Sequence, residues 1–195
     1  MRITEYDKVK DYSYLQYCEY LQNKYGKGLC EYMTASWVKS RKVTRTKEGL
    51  FVHHKYEDQA IRLSHPEIAK NYPYEWQLPE NLIYCDFLEH LFLHVLICEK
   101  SIDFRLGIGG LLVFMIPELN DWFSGFDKME QWQKNCWNVI KNDEEVYLIL
   151  LKRLKEHFQM KETDCIENLC VSFNESFGTW SKDNNKVIFE KIQAL

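Results

Sequence analysis

The stretch that most restricts how this chain can fold is residues 81–100, NLIYCDFLEHLFLHVLICEK. NLIYC reads as a short apolar strand. Asp86 and Glu89 stand at the D-x-x-E spacing of a reciprocal helix cap, so a helix is predicted from about residue 87 to 99. That helix is apolar apart from a few positions, and two of them are His90 and His94. Four residues apart on a helix, both rings project from one face. The chain has 195 residues, 46% of them apolar and 15% aromatic, enough to bury a core around such an element.

The flanking segments are read from their periodicity. Residues 7–25 carry Tyr14, Tyr17, Leu21 and Tyr25 at helical spacing and run to Gly26 and Gly28, which predicts one amphipathic helix. Residues 29–39 read as a second, short helix. From Lys39 the pattern changes to SRKVTRT, KEG and LFVHH, two short runs around a Lys-Glu-Gly turn that suggest a β-hairpin. Residues 55–79 are polar and contain Pro66, Pro73 and Pro79; Ser64 followed by Pro66 reads as a short helix start. Segments 107–117, 128–141, 143–159 and 163–178 each carry helical periodicity. No repeat or low-complexity tract interrupts them. The expected organisation is a helical segment over 1–38, a strand-and-helix core over 39–100 and a helical region over 101–195, forming one continuous domain.

The opening residues, MRITEYDKVKDYSY, lack the apolar stretch of a secretory leader. The longest apolar run, Ile108 to Pro117, is broken by Gly109 and Gly110 and falls far short of the roughly 18–20 residues that span a bilayer. Seven cysteines with no C-x-x-C pair read as buried reduced thiols and argue against a zinc ribbon. A cytoplasmic location and no membrane association are the expectations. Net charge is −4, split as 14 basic and 14 acidic side chains over residues 1–100 and 11 against 15 over residues 101–195. Within the neutral half, Lys39, Arg41, Lys42, Arg45 and Lys47 form a basic cluster with no acid among them. The acidic half is the candidate surface for a protein partner.

Four of the six histidines fall in one pattern: His53-His54 at the end of a predicted strand, then His90 and His94 on the helix. The i, i+4 pair is a common way of placing two imidazoles on one ion. Neighbours on a strand point to opposite sides, so one of His53 and His54 can join that ion while the other faces elsewhere. Three imidazoles with open positions suit a catalytic metal site better than a closed structural one. Glu57 and Asp58 read as a solvated loop, with assistance to a metal or base as the alternative. His65 reads as exposed or structural, His157 as a partner of a helix C-terminus, and Trp122, Trp132, Trp137 and Trp180 as core. Gly107-Ile-Gly-Gly110 lacks the Lys-Ser/Thr of a phosphate loop.

The segment GLFVHHKYED…PENLIYCDFLEHLFLHVLI resembles the HNH endonuclease motif of the ββα-metal nucleases. The His-His, Asn-Leu and His…His offsets are similar to those in the nuclease domains of DNA-cleaving colicins, and the strand-and-helix wording resembles phage-type HNH endonucleases. The likeness covers about residues 49–99. It implies an α+β, mainly helical protein with a ββα-metal (HNH) core embedded in a helical scaffold. It further implies that His53 and His90 are metal ligands, that His94 is a third ligand or a phosphate contact, that His54 is the general base, and that Asn81 braces the loop holding His54 through side-chain hydrogen bonds. One divalent ion is implied, Mg²⁺ or Mn²⁺ for turnover with Zn²⁺ or Ni²⁺ also accommodated by imidazoles. The partner is then DNA, double-stranded, with Arg45, Lys47, Lys55 and Arg62 as phosphate contacts. The departures are a 27-residue separation between His54 and Asn81 and the absence of bracing cysteine pairs. A catalytically silent metal-binding module, and a helical protein with structural zinc, are the competing expectations.

Overall fold

A computed structural model describes residues 1–101, 106–125, 129–158 and 186–195. Two helices, α1 (Ile3–Val9) and α2 (Tyr14–Tyr25), lead into strand β1 (Phe51–His54), a one-turn helix α3 (Pro66–Ala69), strand β2 (Leu82–Cys85) and the long helix α4 (Phe87–Lys100). Helix α5 (Ile108–Gly110) continues through a π-helical stretch, Leu111–Met115, into α6 (Ile116–Phe123). Helices α7 (Gln131–Ile140), α8 (Glu144–Phe158) and α9 (Lys186–Gln193) follow among the described residues. The protein is therefore α+β and mainly helical, with one small antiparallel sheet among the described residues.

The sheet pairs β1 with β2 in the register Phe51↔Cys85, Val52↔Tyr84, His53↔Ile83 and His54↔Leu82. All four residues of β2 are buried, so this strand needs cover on both faces. Directly after it, Asp86 caps α4: its side chain accepts from Glu89 N while the Glu89 side chain accepts from Asp86 N, the reciprocal cap that the D-x-x-E spacing predicts. Helix α4 is buried from Phe87 through Cys98 without interruption. A helix covered all round must lie at the centre of its fold. Its apolar residues join those of α1, α2 and α6–α9 in one cluster that includes Tyr6, Tyr17, Leu88, Phe92, Trp122, Tyr147, Leu154, Ile188 and Ile192. One core thus runs through all three segments of the chain.

Several local expectations are corrected. The predicted helix over 7–25 is two helices, because Asp11–Ser13 breaks the run and Ser13 caps α2 through Gln16. Residues 29–39 form no helix; an isolated bridge joins Met33 and Lys39, and Tyr32 N and Ser40 N are drawn into non-local and turn hydrogen bonds. The run before β1 is not its hairpin partner: residues Arg41–Val43 and Thr46–Glu48 are short 3-10 turns. Only the bridge Arg45↔Leu50 closes around the Lys-Glu-Gly turn. Strand pairing is decided by which strand offers a buried face, and β2 does. Helix α3 begins after His65 rather than after Ser64. The predicted helix over 163–178, with Cys165, Cys170 and Trp180, lies outside the described residues. Cys18, Cys85, Cys98 and Cys136 are buried free thiols. Among the described residues no helix is long and apolar enough to cross a membrane.

Candidate metal centre

The end of β1 and the middle of α4 meet at three imidazoles. His53, His90 and His94 are all buried, and one potential donor atom from each lies within 4.8 Å of the other two. Their rings are mutually edge-on, with centroids 5.0–5.2 Å apart. The sequence pattern that brings them together is local on α4, where the spacing of four aligns His90 and His94, and non-local on β1, where pairing with β2 carries His53 over the helix.

Hydrogen bonding fixes the tautomers of two of the rings. Tyr14 Oη lies 2.9 Å from the Lys55 carbonyl and 2.8 Å from His53 Nε2. A carbonyl only accepts, so the single phenol proton goes to Lys55 O and the phenol oxygen accepts from His53 Nε2–H. Burial holds the Tyr14 phenol well above its ordinary pKa, which keeps that proton in place. The lone pair of His53 is then on Nδ1, a buried atom with no hydrogen-bond partner among the described residues. His94 Nδ1 lies 3.0 Å from the Gly107 carbonyl and must donate to it, leaving the lone pair on Nε2. His90 Nδ1 is likewise buried and unpartnered. Such orphaned, converging nitrogens are costly unless something binds them. A divalent ion satisfies that requirement, and an imidazole whose other nitrogen donates to a carbonyl or phenol is the usual state of a metal-ligating histidine.

Burial sets the ionisation of the cluster. It pushes His53 down to about 3, with the neighbouring Glu57 carboxylate pulling the other way. It pushes His90 well below the usual imidazole range, reinforced by His94 and His53. Neutral imidazoles are the form that binds metal.

Two glycines set aside as a phosphate loop make room for this centre. A Cβ at Gly110 would lie 2.6 Å from His94 Cε1, and one at Gly107 would lie 2.9 Å from the His94 carbonyl. Gly107 also has φ +83°, a conformation that L side chains rarely adopt. The glycine spacing was the available signal; its target, the residue thirteen positions before Gly107 and sixteen before Gly110, is visible only in three dimensions.

Glu57 is the residue that sequence reasoning assigned to a solvated loop, and the structure corrects this. The turn after β1 folds its carboxylate back so that Oε2 lies 3.5 Å from His53 Nδ1 and 3.3 Å from His94 Nε2, while Oε1 lies 3.4 Å from His54 Nδ1. The side chain retains only 19% of its exposure. Burial resists its charge, whereas a proton on the neighbouring His53, His54 or His94 ring would draw its carboxyl below the ordinary range. Asp58 is also buried and pairs with Lys100.

The remaining candidates are placed as follows. His54 is 1% exposed, packs edge-on against Tyr32 and has Nε2 3.2 Å from Gln77 Oε1. Asn81 touches the loop after His54 through its backbone, its carbonyl accepting from Lys55 N; its side chain donates instead to the Glu75 carbonyl at 2.7 Å. Arg45 is half-buried, bonding Glu48 and the Tyr25 carbonyl and lying over the Tyr84 ring. Lys47 and Arg62 are exposed and Lys55 half-buried. His65 is exposed, Trp122 is buried in the core, and Trp132 and Trp137 pack half-buried against it.

Comparison with family models, with curated proteins and with solved structures finds no match. The chemistry of the centre therefore rests on the residues themselves.

Proposed function

We propose that the chain is a metal-dependent endonuclease of the HNH type that hydrolyses DNA phosphodiester bonds. The observation that carries this reading is the convergence of His53, His90 and His94 between two antiparallel strands and the helix that follows them. His54, the next residue along β1, presents Nδ1 to the same carboxylate that touches His53 and His94. The three histidines would hold one divalent ion. That ion would polarise the scissile phosphate and stabilise the leaving 3′ oxygen.

The protein's own groups supply the rest. Gln77 donates through Nε2 to the Leu63 carbonyl, so its Oε1 faces His54 Nε2 and accepts the proton there. This leaves His54 Nδ1 as the basic nitrogen that takes a proton from the attacking water, a task suited to imidazole. Lys47, Lys55 and Arg62 are the cations available to flanking phosphates. Arg45 has its donors committed elsewhere.

The test is incubation with supercoiled plasmid plus Mg²⁺, Mn²⁺, Zn²⁺ or Ni²⁺, with EDTA and His54→Ala as controls. Metal-dependent nicking that falls about 10²–10⁴-fold in His54→Ala is expected, the range for loss of a general base. A second reading has its own support. His54 is almost fully covered, with Gln77 at one nitrogen and Glu57 at the other, as suits a metal-stabilised binding module. In that case the plasmid stays intact with every metal, and partner binding survives His54→Ala.

A further inference from the structure

Glu57 presents a problem that the three histidines alone do not solve. Its Oε2 faces His53 Nδ1 and His94 Nε2, and both of these atoms carry lone pairs, because the opposite nitrogen of each ring donates to a fixed acceptor. An ionised carboxylate directed at two lone pairs is repelled by both. A protonated carboxyl could donate to only one of them. The distances also exclude strong hydrogen bonds: 3.3 and 3.5 Å are well beyond the roughly 2.7–2.9 Å of a charge-assisted N–H···O contact. Toward these two of the three histidines they match a different spacing, with Glu57 standing at the edge of the three-histidine group. Donors at about 2.0–2.1 Å from a four-coordinate ion stand about 3.3–3.4 Å from one another by tetrahedral geometry.

We propose that Glu57 is the fourth ligand of this centre, through Oε2, completing a His₃Glu donor set with His53, His90 and His94. The proposal rests on the three-histidine metal reading and extends it; it does not depend on nuclease activity. A neutral N₃ set with one carboxylate suits Zn²⁺ or Co²⁺ and does not suit Mg²⁺, which takes six oxygens in near-octahedral geometry. The carboxylate's second oxygen remains toward His54 Nδ1. In this arrangement Glu57 stands between the ligand atoms and His54, so a phosphate substrate would reach His54 only by displacing the carboxylate. The turn from Lys55 to Gln59, closed by Glu57 N to His54 O and Gln59 N to Tyr56 O, is the element that would have to shift.

The experiment is a Co²⁺ titration of the metal-free full chain, wild type against Glu57→Gln, read by equilibrium dialysis and visible absorption. Wild type is expected to bind one Co²⁺ with the intense bands of four-coordinate cobalt. Glu57→Gln is expected to bind at least tenfold more weakly and to lose that band pattern, while the metal-free proteins melt alike. Should the Gln variant fail to fold, Glu57→Asp keeps the charge, shortens the reach and is expected to show the same loss. Equal affinity and an unchanged spectrum in the variant would overturn the proposal while leaving the three-histidine site intact. A wild-type protein that binds no Co²⁺ or Zn²⁺ at all would remove both.

Discussion

The first turn of α4 and the two turns after it bury ionisable groups equally well and treat them in opposite ways. In the first turn both buried carboxylates are answered on each oxygen. Asp86 and Glu89 cap each other's backbone at 2.7–2.8 Å, the Met1 ammonium pairs with Asp86, and Glu89 takes Lys24 Nζ at 2.6 Å and the Tyr25 hydroxyl at 3.3 Å. One turn further on, His90 Nδ1 has no partner, and the lone pairs of His53 and His94 face a carboxylate. Burial depth does not separate these regions; satisfaction does. A closed hydrogen-bond network holds a helix start in place, whereas converging unanswered donors mark where something else belongs.

That contrast sets the order of what mutation should do. The largest effect on stability is expected from Asp86→Ala, which removes a helix cap and leaves a buried ammonium without its counter-charge. Breaking one partner of a buried pair costs about 3–5 kcal/mol, and thermal melting should show this loss equally with zinc and with EDTA. A metal-dependent difference would mean that the capped turn and the histidine turns are not separate. His90→Phe should behave in the reverse sense. It fills the space with a ring against Phe51, 5.9 Å away in the native stack, and deletes an orphaned buried nitrogen. The metal-free variant should be no less stable than wild type, since such an orphan costs about 1–3 kcal/mol. The stabilisation by added zinc, about 2.7 kcal/mol at a hundredfold excess over the dissociation constant, should vanish. A metal-free His90→Phe that melts well below wild type would show that the ring is needed for packing alone.

How much of this could be read from the chain depends on the distance over which each contact acts. The cap of α4 and the His90/His94 pair are spaced by three and four residues, so the sequence displays them directly. The strand that supplies His53 was recognisable, but its partner was misplaced, because pairing with β2 across the intervening residues depends on burial that a local pattern does not show. Arg45 reads as a free cation in sequence; its bonds to Glu48, to the Tyr25 carbonyl and to the Tyr84 ring involve residues up to 39 positions away and leave it half-buried. Glu57 was the hardest to see. It sits only three and four residues after His54 and His53, yet a polar turn gives no sign of folding inward until the helix it approaches is in place. Charge and polarity fix what a residue can do, and the non-local contacts decide whether it does it.

The smallest of these effects tests whether the centre is organised from outside the strand-and-helix unit. Tyr14 comes from α2, and its hydroxyl ties His53 Nε2 to the Lys55 carbonyl. Tyr14→Phe preserves the ring and its edge-on contact with His53 but removes both hydrogen bonds. The imidazole is then free to move its proton to Nδ1, which takes away the lone pair directed at the other ligands. Loss of such an orienting partner typically weakens metal affinity by about 10–100-fold, and Tyr14→Phe should fall near the lower end because Nε2 can still be the protonated nitrogen part of the time. A Co²⁺ titration alongside melting of the metal-free protein separates the two roles that the hydroxyl could have. Weaker binding with little change in metal-free melting makes Tyr14 a positioning residue for His53. Unchanged affinity with a lowered melting temperature would instead place it with Asp86 and Glu89, among the groups whose hydrogen bonds serve only to hold the fold.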